Sequence, residues 1–279
     1  MAGEDGTAVA DKRDEAVDPR LNTQVPHIAR VYDYWLSGKD NFTVDRVAAE
    51  EAIAAFPGIK DSAQANRAFL RRTVRYLTAV EGVRQFLDIG TGLPSVSNTH
   101  EVSQAAAPDS RIVYVDNDPL VLAHARALLT SSSEGNTAYL DADLQDTAAI
   151  LEQAASTLDF TRPVGIMLLA ILHYVPDLTE ARRIVARLLA AVPAGSFLVI
   201  SHAGTDLLPD QVAAFEKSLN AHLPAERRHV ARPRDLVTSF FGGIDLMEPG
   251  VVRVSDWHPD SPEESATPTI LWGGVARKV

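Results

Sequence analysis

Apolar positions along the chain follow two rhythms, and the change between them comes near residue 83. Before it the spacing is helical. Ile28, Val31, Tyr32, Trp35 and Leu36 recur at three and four residues and predict a short amphipathic helix. The segment SGKDN breaks it, with Gly38 read as the C-cap. Asp45 to Phe56 reads as helix again until Pro57. Asp61 to Val80 predicts the clearest helix, with Ala65, Phe69, Leu70, Val74 and Leu77 on one face. Arg67, Arg71, Arg72 and Arg75 occupy the rest of it and read as a solvated face. Residues 1–20 carry no apolar period and read as a flexible tail.

After residue 83, short apolar runs alternate with helical stretches. Strands are predicted at 84–89, 111–116, 137–142, 164–171 and 196–202, and helices near 98–107, 119–130, 146–156 and 178–191. That alternation predicts a parallel sheet covered by helices on both faces. Segment 164–171 (VGIMLLAI) is apolar throughout, as a central strand buried on both sides requires. The rhythm then changes: 209–223 and 233–241 read as helix, and 250–254 and 269–276 as two strands with a polar, proline-rich loop between them. Without a crossover helix those two strands are expected to be antiparallel. The expected organisation is a helical extension over 21–82 and one α/β domain over 83–279.

Composition narrows the function. Of 279 residues, 46% are apolar, enough for a sizeable core. The net charge of −11 argues against nucleic acid or an anionic membrane as partner, because both reward a positive surface. With no cysteine, the chain has no disulfide, thiolate metal site or cysteine nucleophile. The amino terminus lacks the basic start and apolar core of a secretory signal, and no apolar run approaches the roughly 20 residues of a membrane span, so a cytoplasmic location is expected.

The candidate chemistry sits where the strands end. RQFLDIGTGLPS runs from a strand into Asp88 and then Gly90-Thr91-Gly92, a turn that lets a ligand approach the backbone closely. Asp116 closes the second strand, where a carboxylate can accept both ribose hydroxyls of a nucleoside. Asp143 lies just past the third, placed to receive an adenine amino group. Aspartates at strand ends also cap helices, and Asp118-Pro119 reads that way, as N-cap and first helical residue. A dinucleotide fingerprint would want glycine at position 95, where Ser95 stands, and an acid roughly 20 residues on, earlier than Asp116. An S-adenosylmethionine site has no pyrophosphate to cradle and fits the three acids better.

The order FLDIGTG, VYVDNDP, YLDADL, LLAILHYVPD, GSFLVISH resembles the motif ladder of class I S-adenosylmethionine-dependent methyltransferases. More narrowly, PHIARVYDYWLSGKDNFTVDR, VRQFLDIGTGLPSVSNTHEV and VDNDP resemble an actinobacterial methyltransferase family long catalogued as a domain of unknown function. The resemblance implies a Rossmann-like, doubly wound seven-stranded sheet with an antiparallel last strand. It implies S-adenosyl-L-methionine as cofactor, with Asp88, Gly90 and Gly92 at the methionine part, Asp116 on the ribose, Asn117 beside the adenine, and Asp143 and Leu144 at the adenine edge. It also implies that the segment from Tyr32 through Gly38 to Asn41 folds over the cofactor. Ser37 and Trp35 depart from the glycine and leucine of that family's motif, and Pro94 from a third glycine of the wider class.

Methyl transfer is a direct displacement that needs alignment of donor and acceptor and, for a hydroxyl or acidic carbon, a base. The candidate bases are His173 and His202, at the ends of the fourth and fifth strands; His100 is expected to orient the glycine loop or the cofactor carboxylate. No two histidines have i, i+4 spacing, and no metal is expected. The expected function is methylation of a small molecule. The alternative is a catalytically silent protein that binds S-adenosylmethionine or S-adenosylhomocysteine as a sensor or partner subunit. A nicotinamide oxidoreductase ranks last, since the third glycine and a Tyr-x-x-x-Lys pair are both missing.

Overall fold

In the computed structural model the described residues are 22–128 and 131–279. The tail read at 1–20 lies outside them, as do the last two residues of the helix read at 119–130. Three helices come first: α1 (Ile28–Trp35), α2 (Thr43–Ala55) and α3 (Ile59–Ala79). Five parallel strands follow: β1 (Gln85–Ile89), β2 (Arg111–Asp116), β3 (Asn136–Asp141), β4 (Gly165–Leu169) and β5 (Phe197–Ala203). They are connected through α4 (Thr99–Ala106), α5 (Pro119–Leu128), α6 (Thr147–Ala154) and α7 (Leu178–Ala190). The chain ends with α8 (Pro209–Asn220), α9 (Arg234–Thr238), β6 (Asp245–Leu246), β7 (Val252–Arg253), α10 (Pro262–Ala266) and β8 (Leu271–Arg277).

The strands form one sheet in the order β3-β2-β1-β4-β5-β8-β6, with β7 also paired to β8. β8 runs antiparallel to β5 and β7, as expected for the last two predicted strands. The sheet has eight strands where seven were expected. The additional one, β6, pairs only two residues, Asp245 with Arg277 and Leu246 with Ala276, too short to leave a period in the sequence. The polar loop before β8 also holds a short helix, α10, started by Ser261, whose side chain accepts from Glu264 N–H, with Pro262 next.

Alternate strand residues face opposite layers. Phe86, Ile112, Met167 and Val199 join one core with Phe69, Val74 and Leu77 of α3. Leu87, Val113, Ile166 and Leu198 join the other, with Ile184 and Leu188 of α7. β4 is buried at every position. The amino-terminal helices thus complete one face of the sheet.

The arginines of α3 do not all lie on a solvated face. Arg72 is fully buried: its Nε donates to Trp257 O at 2.9 Å, its other nitrogens to Val254 O at 2.6 Å and Glu264 at 2.7 Å. Arg71 pairs with Glu264 and Arg75 with Asp260. Three arginines within little more than one helical turn clamp the loop that leads into β8, a partner almost 200 residues away in sequence that no local pattern reveals.

Gly38 does not terminate α1. Ser37 takes the left-handed conformation there, at φ 65°, where a glycine would be unstrained. Gly38 is instead needed for space, since a Cβ on it would sit 1.9 Å from Asp33 Oδ1.

Candidate functional site

The strand order reverses between β1 and β4, and a ligand crevice forms outside the strand ends at such a switch point. A cavity of about 340 Å³ opens there, reaching from the β1 and β2 turns to the underside of α1, α3 and α8.

Its polar end is built on the glycine turn. Gly90 and Gly92 have φ of 75° and 64°, and Gly90 N–H returns to Val115 O at 2.8 Å. A Cβ on Gly90 would meet Ile171 at 2.6 Å, whereas one on Gly92 would meet nothing. Gly90→Ala is therefore expected to cost about 3 kcal/mol through backbone strain and overpacking together, and Gly92→Ala about 1–2 kcal/mol from strain alone. Urea unfolding of the two variants checks the order.

Asp116 accepts Gly92 N–H through Oδ2 at 2.8 Å and Asp118 N–H through Oδ1 at 3.0 Å. One carboxylate thereby fixes the glycine turn and the start of α5, and burial pushes its pKa up. Asp118 caps Leu120 N–H at 2.9 Å, as its sequence context predicts. It also anchors the extension, with His27 Nδ1 at 3.0 Å and Arg30 Nε at 3.5 Å. Asp88 accepts from Thr99 Oγ1 at 2.6 Å, and burial raises it to about 6. Asp143 Oδ2 accepts from Asn117 Nδ2 at 3.1 Å and pairs with Arg227 at 2.6 Å, so the acid past β3 is tied to the segment above the cavity.

The other end is apolar. Trp35, Leu70, Phe215 and Leu271 line it, with Tyr32 and His173. A buried hydrogen-bond chain joins α1 to the sheet along this wall. Ser201 Oγ accepts Ala170 N–H at 2.9 Å and donates to Asn66 Oδ1 at 2.6 Å, while Asn66 Nδ2 donates to Tyr32 Oη at 3.0 Å. Each group in it has a partner, so the wall presents a fixed shape.

Of the expected site residues, Tyr32, Asp88, Gly90, Gly92, Asp116, Asn117, Asp143, Leu144 and His173 line the cavity. Gly38, Asn41, His100 and His202 are not among the lining residues. Asn41 donates to Asp33 Oδ2 at 2.8 Å, so the SGKDN segment closes on α1 itself rather than over the cavity. His100 lies behind the glycine loop, its N–H donating to Tyr114 Oη at 2.8 Å. His202 has both nitrogens engaged, Nδ1 with Ala203 O at 2.9 Å and Nε2 with Arg232 at 2.7 Å, and burial lowers it to about 3. His173 Nδ1 receives Ala203 N–H at 3.3 Å, and burial, then the neighbouring His229 and His202, hold it well below the usual histidine range.

The cavity also takes in residues that local pattern does not mark: His27, Asn66, Arg67, Arg227 and His229. Arg67 holds the glycine loop through Val96 O and Ser97 O, both at 3.1 Å. Among the described residues no group of three His, Cys, Asp or Glu is placed to hold a metal, and no helix is long and apolar enough to cross a membrane.

A family model described as S-adenosyl methyltransferase matches residues 14–279. A DUF574 family protein from Streptomyces avermitilis is 40% identical, with a TM-score of 0.89 over 93% of this chain and 100% of that one. A candidate methyltransferase from Thermobifida fusca is 41% identical, with a TM-score of 0.86 over 93% of this chain and 97% of that one. The plantazolicin methyltransferase, at 12% identity and a TM-score of 0.52 over 90% of this chain and 94% of its own, shares the fold. No curated protein matches. None of these similarities favours a catalytically silent binder.

Proposed function

The chain belongs to the S-adenosyl methyltransferase family, with S-adenosylmethionine as methyl donor, and on that footing we propose that it methylates a small molecule held in the apolar half of the cavity. The observation that carries this reading is a single cavity joining the strand-end acids to an enclosed wall of Trp35, Leu70 and Phe215. A macromolecular surface would not reach that wall under α1 and α3, and the net charge of −11 disfavours nucleic acid.

The residues present suit the donor. Asp116, held by two backbone N–H groups, offers its remaining lone pairs to the ribose. Asn117, Asp143 and Leu144 bound the adenine position. Asp88 faces the methionine end beside Gly90 and Gly92, and Tyr32 covers it. Gly38, Asn41 and His100 act at one remove, shaping α1 and the glycine loop. When bound, the sulfonium supplies an activated methyl group. The chain's part is to align acceptor and donor for in-line transfer and to keep water out, and alignment alone can supply about 7–11 kcal/mol.

Calorimetry with S-adenosylmethionine, S-adenosylhomocysteine and NAD tests the reading: both adenosyl ligands should bind and NAD should not. Preferential binding of NAD would replace it with the oxidoreductase alternative.

Asp88 gives the binding a pH dependence. Its folded pKa is raised from 3.8 to about 6, so the folded protein holds a proton there that the unfolded chain has already lost. Ionising it works against folding as pH rises from about 4 to 6, by about 3 kcal/mol in all. A bound ammonium opposite the carboxylate offsets that cost. Affinity for S-adenosylhomocysteine should therefore fall as pH drops below about 6, by up to about tenfold per unit. In Asp88→Asn the affinity should be low and flat across the same range.

A further inference from the structure

Three histidine rings pack together, two of them, His173 and His229, lining the cavity: His173 lies 4.4 Å from His229 and 5.4 Å from His202, centroid to centroid. Their hydrogen bonds assign them different chemistry. His202 has no nitrogen left for a ligand, because Arg232 and Ala203 O take both. His173 spends Nδ1 on the Ala203 N–H, which leaves its proton on Nε2 and makes the remaining nitrogen a donor. His229 alone is paired with a carboxylate. Its Nδ1 is 3.0 Å from Glu216 Oε1, so Nδ1 carries a proton and, in the neutral ring, the lone pair lies on Nε2.

The pair is held from outside as well. Glu216 stands on α8 and also receives Ala231 N–H. Burial works to raise its pKa, but the bonds from His229 and Ala231 prevail and keep the carboxylate below its usual range. The His229 main chain is clipped to the Asn220 side chain in both directions, at 2.7 and 2.9 Å. The ring is 3% exposed and lines the cavity, and its Nε2 makes no hydrogen bond among the described residues. A histidine oriented by a carboxylate and lining a largely apolar cavity has the arrangement of a general base.

We propose that His229, oriented by Glu216, is the catalytic base and that the acceptor is a small, apolar-bodied molecule with an acidic hydroxyl, such as a phenol. This rests on the methyltransferase reading above. As the acceptor oxygen bonds to the methyl carbon, the carbon–sulfur pair returns to sulfur and the hydroxyl proton passes to His229 Nε2. The acceptor leaves as a methyl ether and the sulfur as a neutral thioether. Glu216 stabilises the imidazolium through the Nδ1–H bond until the proton leaves to solvent. Trp35, Leu70 and Phe215 suit an aromatic body, and among the described residues no acidic side chain apart from Glu216 pairs with the ring to compete for the proton.

The test uses 4-nitrophenol as the acceptor probe and the full chain saturated with S-adenosylhomocysteine. Calorimetry first establishes that the adenosyl ligand binds; failure there counts against the methyltransferase reading and not against the base. The probe is then added below its own pKa, where free probe is colourless. The wild-type protein should develop the phenolate absorption band. His229→Gln and Glu216→Gln should bind S-adenosylhomocysteine as before but lose the band by about tenfold, one unit in the bound probe's pKa. A full band in His229→Gln, or none in the loaded wild-type protein, overturns the assignment. Nitrogen-15 spectra of histidine-labelled wild-type protein give a reading that needs no variant: His229 should be protonated at Nδ1 and bare at Nε2, and the opposite tautomer would also overturn it.

Discussion

Alanine in place of Asp116 is expected to weaken S-adenosylhomocysteine binding by at least about a hundredfold, because charged-group hydrogen bonds contribute about 1.5–3 kcal/mol each. Two losses combine. The ribose loses its paired acceptors, and Gly92 N–H and Asp118 N–H lose the carboxylate that fixes them. The second loss loosens the turn at its left-handed glycines and the start of α5 at once, so the remaining contacts are less well placed. Asp116→Asn keeps one acceptor oxygen and should fall between. Calorimetry on the three proteins measures the series, and wild-type affinity in the alanine variant would remove Asp116 from the site.

The second large effect is on stability. Arg72→Ala should lower the free energy of unfolding by about 4 kcal/mol, the range for removing one partner of a buried charged network. Two buried carbonyls, Trp257 O and Val254 O, lose their donor, and Glu264 keeps Arg71 and the Asp260 N–H but loses its buried cation. A void also opens beside Trp257, which is fully buried and packs edge-on against Phe69. Urea unfolding with an unchanged slope and a much lower midpoint is the expected signature. A shift below about 1 kcal/mol would mean that the loop holds without the clamp.

These two residues mark what could be read from the sequence. Asp116 ends a strand whose apolar period is plain, and its position relative to Gly90 follows from the chain. The five parallel strands were legible for the same reason, since burial on both faces leaves continuous apolar runs. Arg72 looked like its solvent-facing neighbours, because a helix period records which side is apolar but not what a cation on the other side will meet. β6 and β7 escaped or shrank because two-residue pairings are set by β8 rather than by their own composition. His229 and Glu216 are 13 residues apart, and neither belongs to a motif. Only the return of the chain beneath α8 brings them together, a contact that no local spacing encodes.

The segment from Asn220 to His229 is tethered at both ends and at its tip in different ways. At its foot, paired bonds between the Asn220 amide and the His229 main chain are part-buried. At its tip, Arg227 reaches Asp143 through an ion pair open to solvent, the kind that dissolved salt weakens readily. The two fastenings would therefore fail under different conditions. Added salt should loosen the tip at Asp143 while the foot keeps the His229 imidazole seated.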